Sequence, residues 1–180
     1  MNDLPTRLAA KDIATDAFKA VMRNLAGAVS IVTASHGGVR AGLTATSVTA
    51  LSAEPPTVIV CVNRAASAWP TIEAAGHFGI NVLAARHRPI ADRFAGRGGI
   101  KGEARFAGAS WGPLVTGAPT LDGALAVIDC ETEEALERHS HTILIGRIKA
   151  IRHATAEGAL LYWRGVYGQI EDELQAGAGI

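Results

Sequence analysis

Between residues 16 and 26 the apolar positions Phe18, Val21, Met22 and Leu25 fall at the i, i+3, i+4, i+7 spacing of an amphipathic helix. Asp16 is placed to cap that helix and Gly27 to end it, and the stripe reads as core-facing. After Gly27 the period shortens. "AVSIVTAS" at 28–35 is rich in β-branched residues and reads as a strand, and "HGG" at 36–38 turns the chain back into an antiparallel strand starting near Arg40. "SAEPPT" at 52–57 interrupts the strand pattern, because Pro55 and Pro56 donate no hydrogen bonds. "TVIVCVN" at 57–63 is a short, continuously apolar strand, and "SAWPTIEAAG" at 67–76 a helix with Pro70 in its first turn and Gly76 at its end.

"HFGINVLA" at 77–84 is a further strand, followed by a short helix over "RPIADRFAG" with Ile90, Ala91 and Phe94 turned inward. "GRGGIKGE" at 96–103 is a loop. Two long strands are predicted at about 124–137 and 140–152, and "ALLYWRGVYGQI" at 159–170 supplies a last, aromatic strand. Strands outnumber helices, and the connections suit antiparallel neighbours rather than βαβ crossovers. The fold class expected is therefore mainly β: an antiparallel barrel, closed or partly closed, with two or three peripheral helices. One domain is expected over 16–172, between a flexible arm at 1–15 and a flexible tail at 173–180.

Bulk composition adds limits. The chain has 180 residues, 48% of them hydrophobic and 19% charged, enough for one ordinary core. Lys+Arg and Asp+Glu balance at 17 each, which gives no basic footprint for nucleic acid. Cys61 and Cys130 sit inside apolar runs, outside any CxxC, and read as small buried hydrophobes in a reducing compartment. No apolar run approaches the roughly 20 residues a membrane span needs, and "MNDLPTRLAAKDIATDAFK" has no signal-peptide core, so a cytoplasmic protein is expected.

The familiar nucleotide and nucleophile motifs are missing: no GxGxxG follows a strand, and neither GxxxxGK[ST] nor GxSxG occurs. His139 and His141 lie two apart on a predicted strand, but no third ligand has matching spacing, and no metal is expected. The unusual stretch is "GLTATSVTALSAEPPTVIVCVNRAAS" at 42–67. There Thr44, Thr46, Ser47, Thr49, Ser52 and Ser67 put hydroxyls where a core strand would carry Val or Ile. The strand pattern alone suits the wet face of a sheet as well as a polar ligand.

The ordered blocks "AGAVSIVTA", that hydroxyl-rich stretch, "FGINVLAARHRPIADRFAG", "ARFAG", "HTILIGRI" and "LLYWRGVYG" resemble the short-chain flavin reductases over about 18–170. These are NAD(P)H-dependent partners of two-component flavin monooxygenases. The resemblance implies an FMN-binding split barrel, a homodimer, FMN or FAD as flavin, and NADH or NADPH as hydride donor. It implies that Thr46, Ser47 and Val48 line the isoalloxazine, with Thr44 on the same strand. Ser52 would bond ribityl or phosphate oxygens. The segment that starts at Cys61 would close over the ribityl phosphate, with Asn63 and Ser67 as neutral donors and Arg64 as a charged one.

His141 matches the family's nicotinamide-pocket histidine of a "GDH" block, although His139 and Ser140 replace the Gly and Asp. Losing that Asp removes a carboxylate that would orient the ring. Tyr167 would approach the flavin or nicotinamide and Arg164 a phosphate, or both would pack or pair at a dimer interface. Phe94 would cover the flavin or pack in the core. The function implied is hydride transfer from a nicotinamide to a flavin, which asks the protein chiefly to stack two flat rings. The alternatives are a non-catalytic flavin- or haem-binding barrel, and an oxidase of a phosphorylated vitamin such as pyridoxamine phosphate. Such oxidases carry several basic residues at the flavin site, where this strand carries hydroxyls.

Overall fold

The computed structural model describes residues 13–154 and 158–171. Most of the arm expected over 1–15, and all of the tail expected over 173–180, lie outside the described residues.

Helix α1 (Thr15–Met22) is followed by a two-residue strand, β1 (Gly27–Ala28), and then by the hairpin of β2 (Ser30–His36) and β3 (Val39–Ala45). The apolar run at 28–35 is nearly all buried because both faces of β2 are covered. Val32 and Ala34 face one core, while Ile31, with Val29 just before the strand, faces another. Only Thr46 and Ser47 separate β3 from β4 (Val48–Ala53), which pairs with β5 (Pro56–Asn63) across the proline turn. Helix α2 (Trp69–Ala75) buries Trp69 and Ile72 and stops at Gly76.

Strand β6 (His77–Val82) leads through a 3₁₀ turn at Ala85–His87 into α3 (Arg88–Phe94), which buries Ala91 and Phe94. The predicted loop carries two further 3₁₀ turns, at Arg97–Gly99 and Gly102–Phe106. A small hairpin, β7 (Trp111–Pro113) with β8 (Pro119–Leu121), had no clear signal in the sequence. It is pinned by buried polar groups: Asp129 accepts from Val115 N (2.7 Å) and Thr116 N (2.8 Å), and Asn81 Oδ1 accepts from Leu121 N (2.7 Å). The long pair β9 (Ala126–Arg138) and β10 (His141–His153) matches its expected limits closely.

Seven strands form one antiparallel sheet in the order β3-β2-β6-β9-β10-β5-β4. Its two edge strands, β3 and β4, are joined by two residues and do not pair with each other, so the barrel is split there. This is the mainly β, antiparallel architecture expected, with three α-helices among the described residues. Inside it Gly146 of β10 lies under Phe78. A Cβ there would stand 2.9 Å from that of Cys130 and would also strike the Phe78 ring.

Two expectations need correction. The aromatic run at 159–170 is a hairpin rather than one strand: β11 (Ala159–Trp163) turns at Arg164 and Gly165 into β12 (Val166–Ile170), and β1 pairs with β11. Both turn residues have positive φ, 50° and 88°, the geometry of a two-residue type I′ connection. The stripe of α1 is not core-facing either. Phe18, Val21, Met22 and Leu25 are 55, 68, 43 and 65% exposed, because the helix lies outside the sheet and buries none of its residues. Its start also differs: Ala14 occupies the N-cap and Asp16 lies in the first turn. Among the described residues no helix is long and apolar enough to cross a membrane.

Candidate functional site

The corner where β3 leaves the sheet is built from short side chains because larger ones would fill it. Thr44 donates its hydroxyl to the Ala91 carbonyl (2.7 Å), which ties β3 to α3. Next to it lies a cavity of about 200 Å³ walled by Val29, Thr44, Ala45 and Thr46 on one side and by Arg97, Tyr162 and Tyr167 on the other. The two tyrosines are cross-strand partners on β11 and β12 and stack edge-on at 5.3 Å. Arg97 and Arg88 lie 5.2 and 5.7 Å from the Tyr167 ring centre. Burial, with the Asp92 charge behind it, raises the Tyr167 pKa, so the phenol stays protonated and able to donate.

A second group gathers across β4, β5 and β10. Ser47 donates to the Cys61 carbonyl (2.9 Å), and Val48 pairs with Val60. Asn63 Oδ1 accepts from Ala65 N (2.9 Å), which shapes the exit from β5. His141 opens β10 directly opposite Asn63, exposed, with Nδ1 hydrogen-bonded to the Ser140 hydroxyl at 2.9 Å. A hydroxyl therefore holds the ring where the resemblance implies a carboxylate. Arg64 is engaged: its guanidinium pairs with Glu137 and donates to the His139 carbonyl at 2.5 Å, so its charge is turned toward β9.

Other candidates lie elsewhere. Ser52 sits at the far end of β4, where its hydroxyl bonds Glu54 N (3.1 Å) and closes the proline turn. Phe94 is buried, packed against Phe106 at 5.0 Å and Trp111 at 5.4 Å, so it supports the corner from below. Arg164 donates to Asn24 Oδ1 (2.7 and 2.9 Å) and stacks on Trp163, clasping the end of α1. It also borders a groove of about 270 Å³ shared with Phe18, Met22, Thr46 and Tyr162. Ser67 lines a separate small cavity beside the edge of β3.

Tyr162, Arg97, Lys101 and Arg105 were not singled out from the sequence. The three cations belong to a loop without periodicity, and Tyr162 read as one aromatic among several. Among the described residues no three His, Cys, Asp or Glu side chains gather closely enough to hold a metal ion.

A family model described as a flavin reductase like domain matches residues 22–171. The NADH-dependent FMN reductase RutF 2 of Methylorubrum extorquens (strain PA1) is 43% identical over 150 residues, 83% of this chain and 86% of that protein. The crystal structure of a protein from Haemophilus somnus assigned as a flavin reductase aligns with a TM-score of 0.84 at 35% identity, over 88% of this chain and 100% of that one. BorF, the flavin reductase component of a bacterial two-component tryptophan halogenase, aligns with a TM-score of 0.79 at 29% identity, over 89% and 100% of the two chains. Fold and matches together define an oxidoreductase of the antiparallel split-barrel class. The chain belongs to the flavin reductase-like domain family.

Proposed function

We propose that this protein reduces FMN with NADH and releases the reduced flavin to a partner oxygenase or halogenase. The observation that carries the reading is the cavity at the β3–β4 corner, where small hydroxyl residues meet a tyrosine pair within a chain of this family. When both are bound, the nicotinamide supplies a hydride from C4 and the flavin accepts it at N5. The protein's share is placement. Thr46, Ser47 and Val48 offer small side chains and backbone groups to the polar edge of a flat ring system. The protonated Tyr167 phenol faces the same cavity as a donor. His141, held by Ser140, is the group at the nicotinamide side.

The reading extends to FAD as an alternative flavin, to NADPH as an alternative donor, to a cytoplasmic location and to a homodimer. The exposed apolar face of α1, with Trp163 45% exposed nearby, supports association of two copies.

Purified protein should consume NADH rapidly once FMN is added and only slowly without it. Absence of NADH and NADPH oxidation with FMN, FAD and riboflavin alike would remove the proposal.

A further inference from the structure

We propose that a cavity beside the start of α3 binds a small monocarboxylic acid, and, resting on the flavin reductase reading, that this acid tightens flavin binding at the corner. The cavity measures about 330 Å³ and lies between α3 and the loop at 107–110. Asp122 N donates to the Ser110 carbonyl at 3.0 Å, which joins that loop to the end of β8.

His87 is 7% exposed, yet it lines this cavity. Its Nδ1 accepts the Ala84 N–H at 3.2 Å, so in the neutral ring the proton sits on Nε2. Burial and the nearby Arg86 charge lower its pKa to about 4, which makes the ring a neutral donor at pH 7. That Nε2–H has no hydrogen-bond partner among the described residues. With Nδ1 turned to the backbone, Nε2 is the nitrogen left for the cavity, and a buried donor calls for an acceptor. The neighbours select which acceptor. Arg86 donates to the Gly123 carbonyl at 2.6 Å and brings a cation to the wall. Ser110 adds a hydroxyl with no partner among the described residues. The acid on the wall, Asp122, has its charge offset by Arg152 at 3.3 Å. An N–H, an O–H and a cation around one space suit an anionic oxygen, while Pro89, Ile90 and Leu121 give the rest of the wall an apolar surface. A carboxylate on a short apolar body satisfies both.

This cavity and the corner share α3. Ile90 lines the cavity, while the next residue, Ala91, accepts the Thr44 hydroxyl, and Arg88 stands 5.7 Å from the centre of the Tyr167 ring. An acid that bridges α3 and the 107–110 loop restrains the helix that holds the corner. A flavin then has less to order when it binds.

Calorimetry without flavin tests the site, with benzoate as the acid and benzamide as its neutral counterpart. Benzoate should bind with a Kd of about 1 mM or tighter, and benzamide about tenfold more weakly. In isotope-labelled protein the His87 ring nitrogen resonances should shift as benzoate is added. Ser110→Trp, a change at an exposed loop residue, should fill the cavity and abolish both signals. Arg86→Gln should weaken benzoate binding about tenfold, the scale of one charge-assisted contact. Saturating benzoate should lower the Kd for FMN severalfold in the wild type, read by flavin fluorescence without NADH, and leave it unchanged in Ser110→Trp.

Absence of benzoate binding, equal binding of benzamide, or benzoate binding that survives Ser110→Trp overturns the site. Benzoate that leaves FMN affinity unchanged, or weakens it by competing for the corner, overturns the coupling. Failure of the parent reading shows differently, as absence of FMN-stimulated NADH oxidation, while benzoate calorimetry still reads the cavity.

Discussion

His141 is exposed, opens β10 opposite Asn63, and has one ring nitrogen fixed by Ser140. A ring held on one side and open on the other suits contact with a planar ligand. His141→Ala is expected to raise the KM for NADH or lower kcat severalfold, on the scale of one lost hydrogen bond, while FMN affinity stays near normal. Steady-state kinetics with each substrate varied will read the split, and unchanged constants would leave the histidine as a strand-end residue only. Residue types in the 42–67 stretch were legible as chemistry, but their engagements were not. Thr44, Ser47 and Ser52 each give their hydroxyl to a backbone carbonyl, at Ala91, Cys61 and Glu54. Partners so distant along the chain, or so dependent on turn shape, leave no periodic trace. Thr46 is the hydroxyl left facing two hollows at once.

Elements were legible where the signal is local. The turn at 36–38, the proline break, the Pro70 helix and the two long strands follow from alternation and from Gly and Pro. The stripe of α1 is helical as its period predicts, but period reports amphipathicity and not which partner covers it. The break at Arg164 leaves little trace in the residue pattern, because it rests on a non-glycine residue at positive φ. Gly146 offers a test at this scale, because its missing Cβ lets Phe78 of β6 and Cys130 of β9 approach β10. Gly146→Ala should destabilise the fold by about 1–3 kcal/mol through overpacking, read as a lower urea midpoint with the slope kept. An unchanged midpoint would show that Phe78 shifts freely.

At the scale of the whole molecule, stability should depend on pH through His87. This residue is 7% exposed beneath the start of α3, and Nδ1 accepts the Ala84 N–H at 3.2 Å. Burial first, and the Arg86 charge second, lower its pKa from 6.5 to about 4. Between those values the unfolded chain binds the proton and the folded one does not, so stability rises with pH across that window. It is complete above pH 6.5 and lost as pH falls toward 4, by up to about 3 kcal/mol. His87→Asn, which retains an acceptor for Ala84, should flatten this dependence in urea melts taken from pH 7 to pH 4; an equally steep profile in the variant would assign it to other groups.

The strand order has one more consequence. An open sheet offers two rows of unpaired backbone groups to any passing chain, a standing invitation to aggregate. Here both rows belong to β3 and β4, which a two-residue link holds together at one end. The corner proposed to receive the flavin is thus also the place where the sheet's two unpaired borders are tied to each other by a short link.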